Sequence, residues 1–134
     1  MAEPSTASHR SAVSSRVMAG AFALDVVLVV VFAVIGRASH DEDLTVAGAA
    51  QTAWPFLVGL VLGWLLTRAW RAPLAILPTG IGVWLLTVAA GMLLRGVTGQ
   101  GVALAFVIVA SIVLLVFLVG WRVIAALIRR GRSR

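Results

Sequence analysis

The chain has 134 residues, 61% hydrophobic and 12% charged, with a formal net charge of +6. A typical soluble domain is about 25% charged, and a soluble chain this short has no interior large enough to hide so much apolar surface. All eleven basic residues are Arg and most flank apolar runs, which marks a topology signal and not a nucleic-acid partner, while the lack of cysteine excludes disulfides, Cys-ligated zinc and thiol nucleophiles.

Residues 1–16, MAEPSTASHRSAVSSR, are rich in Ser and Ala without hydrophobic periodicity and read as a disordered cytoplasmic leader. Four runs free of Arg, Lys and Glu follow: Val17–Gly36, Leu44–Thr67, Ala72–Leu94 and Gly96–Trp121, of 20, 24, 23 and 26 residues. A hydrocarbon core of roughly 30 Å needs about 20 apolar residues in a helix, so each run is long enough to span. The expected fold is an all-α membrane protein, four transmembrane helices in an antiparallel up-down bundle. The spans are set at about 17–36, 44–67, 72–94 and 101–123 within a domain at 17–128, followed by a basic cytoplasmic tail at 129–134. The first run is too long for a secretory h-region and lacks an A-x-A site before Asp41-Glu42-Asp43, so it reads as an uncleaved helix.

Pro55 falls early in the second run, where a continuous, tilted or kinked helix is expected, the alternative being a re-entrant piece at 44–52. Gly59 and Gly63 form a small-xxx-small pair that predicts close helix approach, more readily inside the bundle than between copies. After Trp121 the pattern RVIAALIRR continues at helical spacing, which allows span four to run on to Ile128. Arg10, Arg16, Arg68, Arg71 and the five Arg from 122 to 134 would share one side, against Arg37 and Arg95 on the other. Nine against two predicts both termini in the cytoplasm. Trp70 and Trp121 are expected at the cytoplasmic interface, Trp54 near the outer one, and Trp64 and Trp84 deeper between helices. A faint duplication pairs Arg37 and Gly63-Trp64 with Arg95 and Gly120-Trp121, at separations of 26 and 25 residues.

Asp25, in the middle of the first run, is the most informative single residue. A charge inside the hydrocarbon layer costs about 2.5–3.5 kcal/mol on insertion scales, so it should face the bundle. Counting about 1.5 Å per residue places it about 12 Å deep, level with Ser111 and, if span four extends, with Arg122. Either could be its partner. Two roles stay open: a protonatable or ion-binding site on a translocation path, or a carboxyl fixing helix register. A structural carboxyl should tolerate Asp25→Asn. The second constellation, Gly36-Arg37-Ala38-Ser39-His40-Asp41-Glu42-Asp43, closes span one. Arg37 would meet His40 and Asp41 at i+3 and i+4, and Arg95 lies on the same side. A lone His without a second ligand at spacing is weak as a metal motif, so no metal or cofactor is expected. Gln51, Thr52, Thr87, Thr98 and Gln100 could line a polar vestibule there or merely satisfy helix ends. No P-loop, G-x-G-x-x-G, G-x-S-x-G or H-E-x-x-H occurs.

The segment Gly36-Arg37-Ala38-Ser39-His40-Asp41-Glu42, after an Asp-containing first helix, resembles a family of small prokaryotic membrane proteins, domain of unknown function 3054. Thr52-Ala53-Trp54-Pro55-Phe56, Gly91-Met92-Leu93-Leu94-Arg95 and Ala105-Phe106-Val107 are similar to that family too. The resemblance implies a four-span membrane protein and draws interest to Gly36, Arg37, Ser39, His40 and Glu42 without giving any of them a role. Three functions are compatible with these residues. The first is a structural or assembly partner in the cytoplasmic membrane, as a homodimer or within a larger complex. The second is a small transporter, channel or transport accessory using Asp25. The third is an enzyme acting on a lipid or quinone at His40 and its acids. The first is the reading favoured here, with no catalytic residue.

Overall fold

Apolar runs of bilayer length, joined by connections too short to cross back, leave consecutive helices antiparallel. The computed structural model describes residues 13–39 and 44–132 and has this arrangement. Its helices are α1 (Ser15–Ser39), α2 (Val46–Thr67), α3 (Ile81–Val97) and α4 (Leu104–Arg132), and no strand occurs among the described residues. Among the described residues, four helical stretches are long and apolar enough to cross a membrane, the third counted from Ile76. Packing runs α1 on α2, α2 on α3, α3 on α4 and α4 back on α1, with α2 and α3 the closest pair.

Local chemistry sets the ends. The Thr45 hydroxyl accepts from the Gly48 N–H at 2.9 Å and caps α2. At the other end Arg68 takes a left-handed conformation (φ 52°) and its N–H bonds back to the Leu65 and Trp64 carbonyls. Pro55 sits inside α2 without breaking it, so the continuous-helix expectation holds and 44–52 is no separate piece. Span three begins later than its apolar run. From Ala69 to Gly80 the chain makes a short 3₁₀ turn and then a wide turn in which Leu77 is extended (φ −121°, ψ 136°). Hydropathy does not distinguish this irregular apolar stretch from helix, which is why the expectation of 72–94 missed it. Span four runs past 123 and includes part of the basic tail: apolar residues continue at helical spacing to Ile128, and the helix carries on through Arg132. The leader expectation falls mostly outside the described residues, and Ser15 and Arg16 already belong to α1.

Glycines explain the tight α2–α3 contact. A Cβ on Gly59 would lie 2.8 Å from the Thr87 carbonyl oxygen, and one on Gly63 3.0 Å from the Val83 Cα. Gly91 gives room to the Phe56 ring. The small-residue pair is therefore an intra-bundle contact. The core is apolar and aromatic, with Phe32 edge-on to Phe56 at 5.1 Å and Phe22 edge-on to Trp64 at 5.1 Å. Large side chains such as Val27, Leu66, Leu93 and Ile112 point outward. An apolar perimeter of this kind is stable against lipid and not against water.

Candidate functional site

Asp25 sits on the bundle-facing side of α1 and is completely buried. Its two carboxylate oxygens receive four hydrogen bonds. Arg122 on α4 donates to both in a fork, Nη1 to Oδ1 at 3.0 Å and Nη2 to Oδ2 at 2.8 Å. The Trp64 indole N–H of α2 donates to Oδ2 at 2.9 Å, and that of Trp121 to Oδ1 at 2.8 Å. Planar two-pronged pairing of guanidinium with carboxylate is the strongest geometry available to these groups.

Arg122 is also completely buried, and two backbone carbonyls hold it besides Asp25. Nε reaches the Pro73 carbonyl at 2.9 Å and Nη1 also donates to the Leu118 carbonyl at 2.7 Å. Its carbon above the Trp121 ring lies 4.5 Å from the centroid. Gly80 leaves the space through which the side chain passes, since a Cβ there would sit 3.0 Å from the Arg122 Cδ. One ion pair thus ties α1, α2, α4 and the α2–α3 connection together.

Of the two partners expected for Asp25, Arg122 is the right one and Ser111 is not. The Ser111 hydroxyl donates to the Val107 carbonyl at 2.6 Å, the ordinary bond of a helix hydroxyl to its own backbone. Its own carbonyl accepts from the Trp84 indole at 2.9 Å. Trp121 is not an interfacial anchor, because its N–H is turned inward to Asp25. Sequence reasoning missed both tryptophans as partners, yet the repeated Gly-Trp pairs mark them: the two matched indoles donate to opposite oxygens of one carboxylate.

The described part of the second constellation, residues 36–39, lies at the opposite end of the bundle. Arg37, in the last turn of α1, donates to the Thr52 hydroxyl at 3.1 Å and lies where a Cβ on Gly48 would be 2.5 Å from its Nη2. Arg95, in the last turn of α3, secures the α3–α4 connection. Its Nε donates to the Gly101 carbonyl at 3.2 Å, Nη1 to the Gln100 side chain at 3.1 Å and Nη2 to the Gln100 carbonyl at 3.3 Å. It also stacks 4.3 Å from the Phe106 ring centroid. Both arginines have further partners besides these. Between them lies a cavity of about 220 Å³ whose lining includes Arg37, Thr52, Arg95, Gln100 and Phe106.

Gly36 borders this cavity, so Gly36, Arg37 and Arg95 are brought together as expected. Ser39 ends α1, whereas His40 and Glu42, with the contacts expected between Arg37, His40 and Asp41, lie outside the described residues. The vestibule expectation holds for Thr52 and Gln100. Thr98 instead bonds the Leu94 carbonyl at 2.7 Å, and the Thr87 hydroxyl is buried without a partner among the described residues. No group of three or more His, Cys, Asp or Glu that could hold a metal occurs among the described residues.

The four segments that carry the family resemblance meet at this end, through Gly36 and Arg37, Thr52 and Phe56, Gly91 and Arg95, and Phe106. No curated protein and no solved structure matches the chain. A family model described as a protein of unknown function, DUF3054, matches residues 22–125, and so takes in Asp25, Arg122 and the Arg37–Arg95 cavity. The chain belongs to that family of integral membrane proteins, with four helices able to span the bilayer.

Proposed function

We propose that the protein is a structural or assembly component of the cytoplasmic membrane, not a conduit or an enzyme, with Asp25 serving as the lock of the bundle. The observation that carries this reading is the saturation of Asp25: a fully buried carboxylate whose two oxygens hold four donors, two of them from one guanidinium. A carboxyl that relays protons or ions has to exchange partners with water or cargo during each cycle. Here exchange would strand the buried Arg122 charge and two indole N–H groups, each costly in a low-dielectric interior.

Both termini are assigned to the cytoplasm, the support being arginine distribution. The start of α1, the α2–α3 connection and Arg129 border one common cavity, so these segments share an end. Arg122 is internal and carries no topology information, which leaves eight arginines against two. The bias survives the correction.

The test is a pH-gradient assay in liposomes containing the purified protein. The wild type should collapse an imposed gradient no faster than empty liposomes. A gradient collapse that the wild type supports and a folded Asp25→Asn/Arg122→Gln double variant loses would replace this reading with a transport role.

A further inference from the structure

We propose that the cavity where the start of α1, the α2–α3 connection and the close of α4 meet binds an anionic phospholipid. It measures about 280 Å³ and is lined by Val13 and Val17, the stretch Ala72–Ala75, and Arg129. Every lining residue but Arg129 is apolar, so one guanidinium stands over an apolar hollow. A soluble anion gains a single cation from such a lining. An amphiphile gains twice, with its phosphate on Arg129 and its first acyl carbons against Val13, Val17 and Leu74. Part of the lining is ordered from within. The buried Arg122 Nε holds the Pro73 carbonyl at 2.9 Å, and the Thr79 hydroxyl holds that of Ala72 at 2.7 Å. Both bonds set the connection before any ligand arrives, which lowers the entropic cost of binding.

Charge around the cavity agrees with that occupant. Arg16 and Arg71 are the chain neighbours of the lining residues Val17 and Ala72, and Arg132 lies three residues beyond Arg129 on α4. These four arginines are exposed, and their side chains make no hydrogen bond or ion pair among the described residues. Arg130 has a partner and is not counted with them. Acidic side chains are scarce on this side of the sequence. Asp25 is taken up by Arg122, and Asp41, Glu42 and Asp43 follow the last turn of α1, which leaves Glu3. One acid against four such arginines leaves the end cationic. Basic pockets between membrane helices select anionic headgroups in this way, and the exposed Trp70 of the same connection suits the headgroup level.

The experiment compares thermal unfolding of the full chain in neutral detergent with added dioleoyl phosphatidylglycerol, dioleoyl phosphatidylcholine or soluble glycerol phosphate. A bound ligand raises the apparent Tm with its concentration. Phosphatidylglycerol should raise it, with neither phosphatidylcholine nor glycerol phosphate matching the shift. Arg129→Gln should weaken the apparent affinity about fivefold, the worth of one arginine at an anionic surface. Arg68→Gln removes the same charge outside the lining and should weaken it less. Val17→Asp puts an acid into the hollow from the exposed first turn of α1, a helix end that favours negative charge. It should keep the lipid-free Tm and lose the phosphatidylglycerol shift, and it decides the matter if Arg129→Gln does not fold. An undiminished shift in either variant that retains its lipid-free Tm would overturn the proposal. So would an equal loss in Arg68→Gln, which would make the attraction a property of the whole basic end. Equal shifts from phosphatidylcholine, or from glycerol phosphate alone, would overturn it as well.

Discussion

At the residue scale, the chemistry of Asp25 is that of a carboxylate with every oxygen site in use, and this changes what an amide replacement should do. Asparagine matches the carboxylate in size, but its NH₂ group would face donors and its neutral charge would leave Arg122 buried without a counter-ion. The sequence-based expectation that Asn is tolerated is therefore reversed: removing one member of a buried pair costs about 3–5 kcal/mol. The indoles are graded tests of the same node. Trp64→Phe and Trp121→Phe each keep a ring and delete one donor to a charged acceptor, so each should lower unfolding stability by about 1.5–3 kcal/mol. Ser111→Ala, which removes only a bond to its own helix, should change it by less than about 1 kcal/mol. Chemical unfolding in mixed micelles measures all three. The carboxyl and the bundle-facing side of α1 it marks were legible from one acidic letter in an apolar run. Its indole partners were not, because a Trp at the end of a span has the same signature whether its N–H meets headgroups or a buried acid.

At the scale of elements, α2 and α3 are held by backbone approach, and substitutions at their glycines should separate sharply from substitutions elsewhere. Gly59→Val forces a side chain against the Thr87 carbonyl, 2.8 Å from where its Cβ would fall, and overpacking of this kind costs about 1–3 kcal/mol. Gly20 on α1 faces open space, so Gly20→Ala should be neutral or stabilise by up to about 1 kcal/mol through helix propensity. The same unfolding titration distinguishes the two. Helix number, order and pairing were readable because lipid imposes a length and a composition on any element that crosses it. The late start of α3 was not readable. The bends between Ala69 and Gly80 depend on Arg122 reaching the Pro73 carbonyl and on the Thr79 hydroxyl bonding the Ala72 carbonyl at 2.7 Å. Neither the distant arginine contact nor a hydroxyl bond across a seven-residue turn leaves a hydropathy pattern. The Arg37–Arg95 end was legible as a cluster, since both arginines close spans that must end on one side, whereas the cavity between them required the helix rotations.

At the scale of the whole molecule, one end gathers the start of α1, the α2–α3 connection and the end of α4, and the other carries Arg37 and Arg95. Because the chain has no cysteine, single cysteines introduced at exposed Ser14 and Thr98 report each end separately. A membrane-impermeant maleimide added to intact cells should label the Thr98 position and spare the Ser14 position. Within the bundle, α1, α2, α4 and the α2–α3 connection are joined at Asp25 and Arg122, so the stability of the whole should depend on those two residues as a pair. The most direct test is a double-mutant cycle on unfolding free energy with Asp25→Asn, Arg122→Gln and their combination. Each single change should be strongly destabilising and the double variant less so than their sum, with a coupling of about 0.5–3 kcal/mol. Additive effects, or single variants as stable as the wild type, would contradict it.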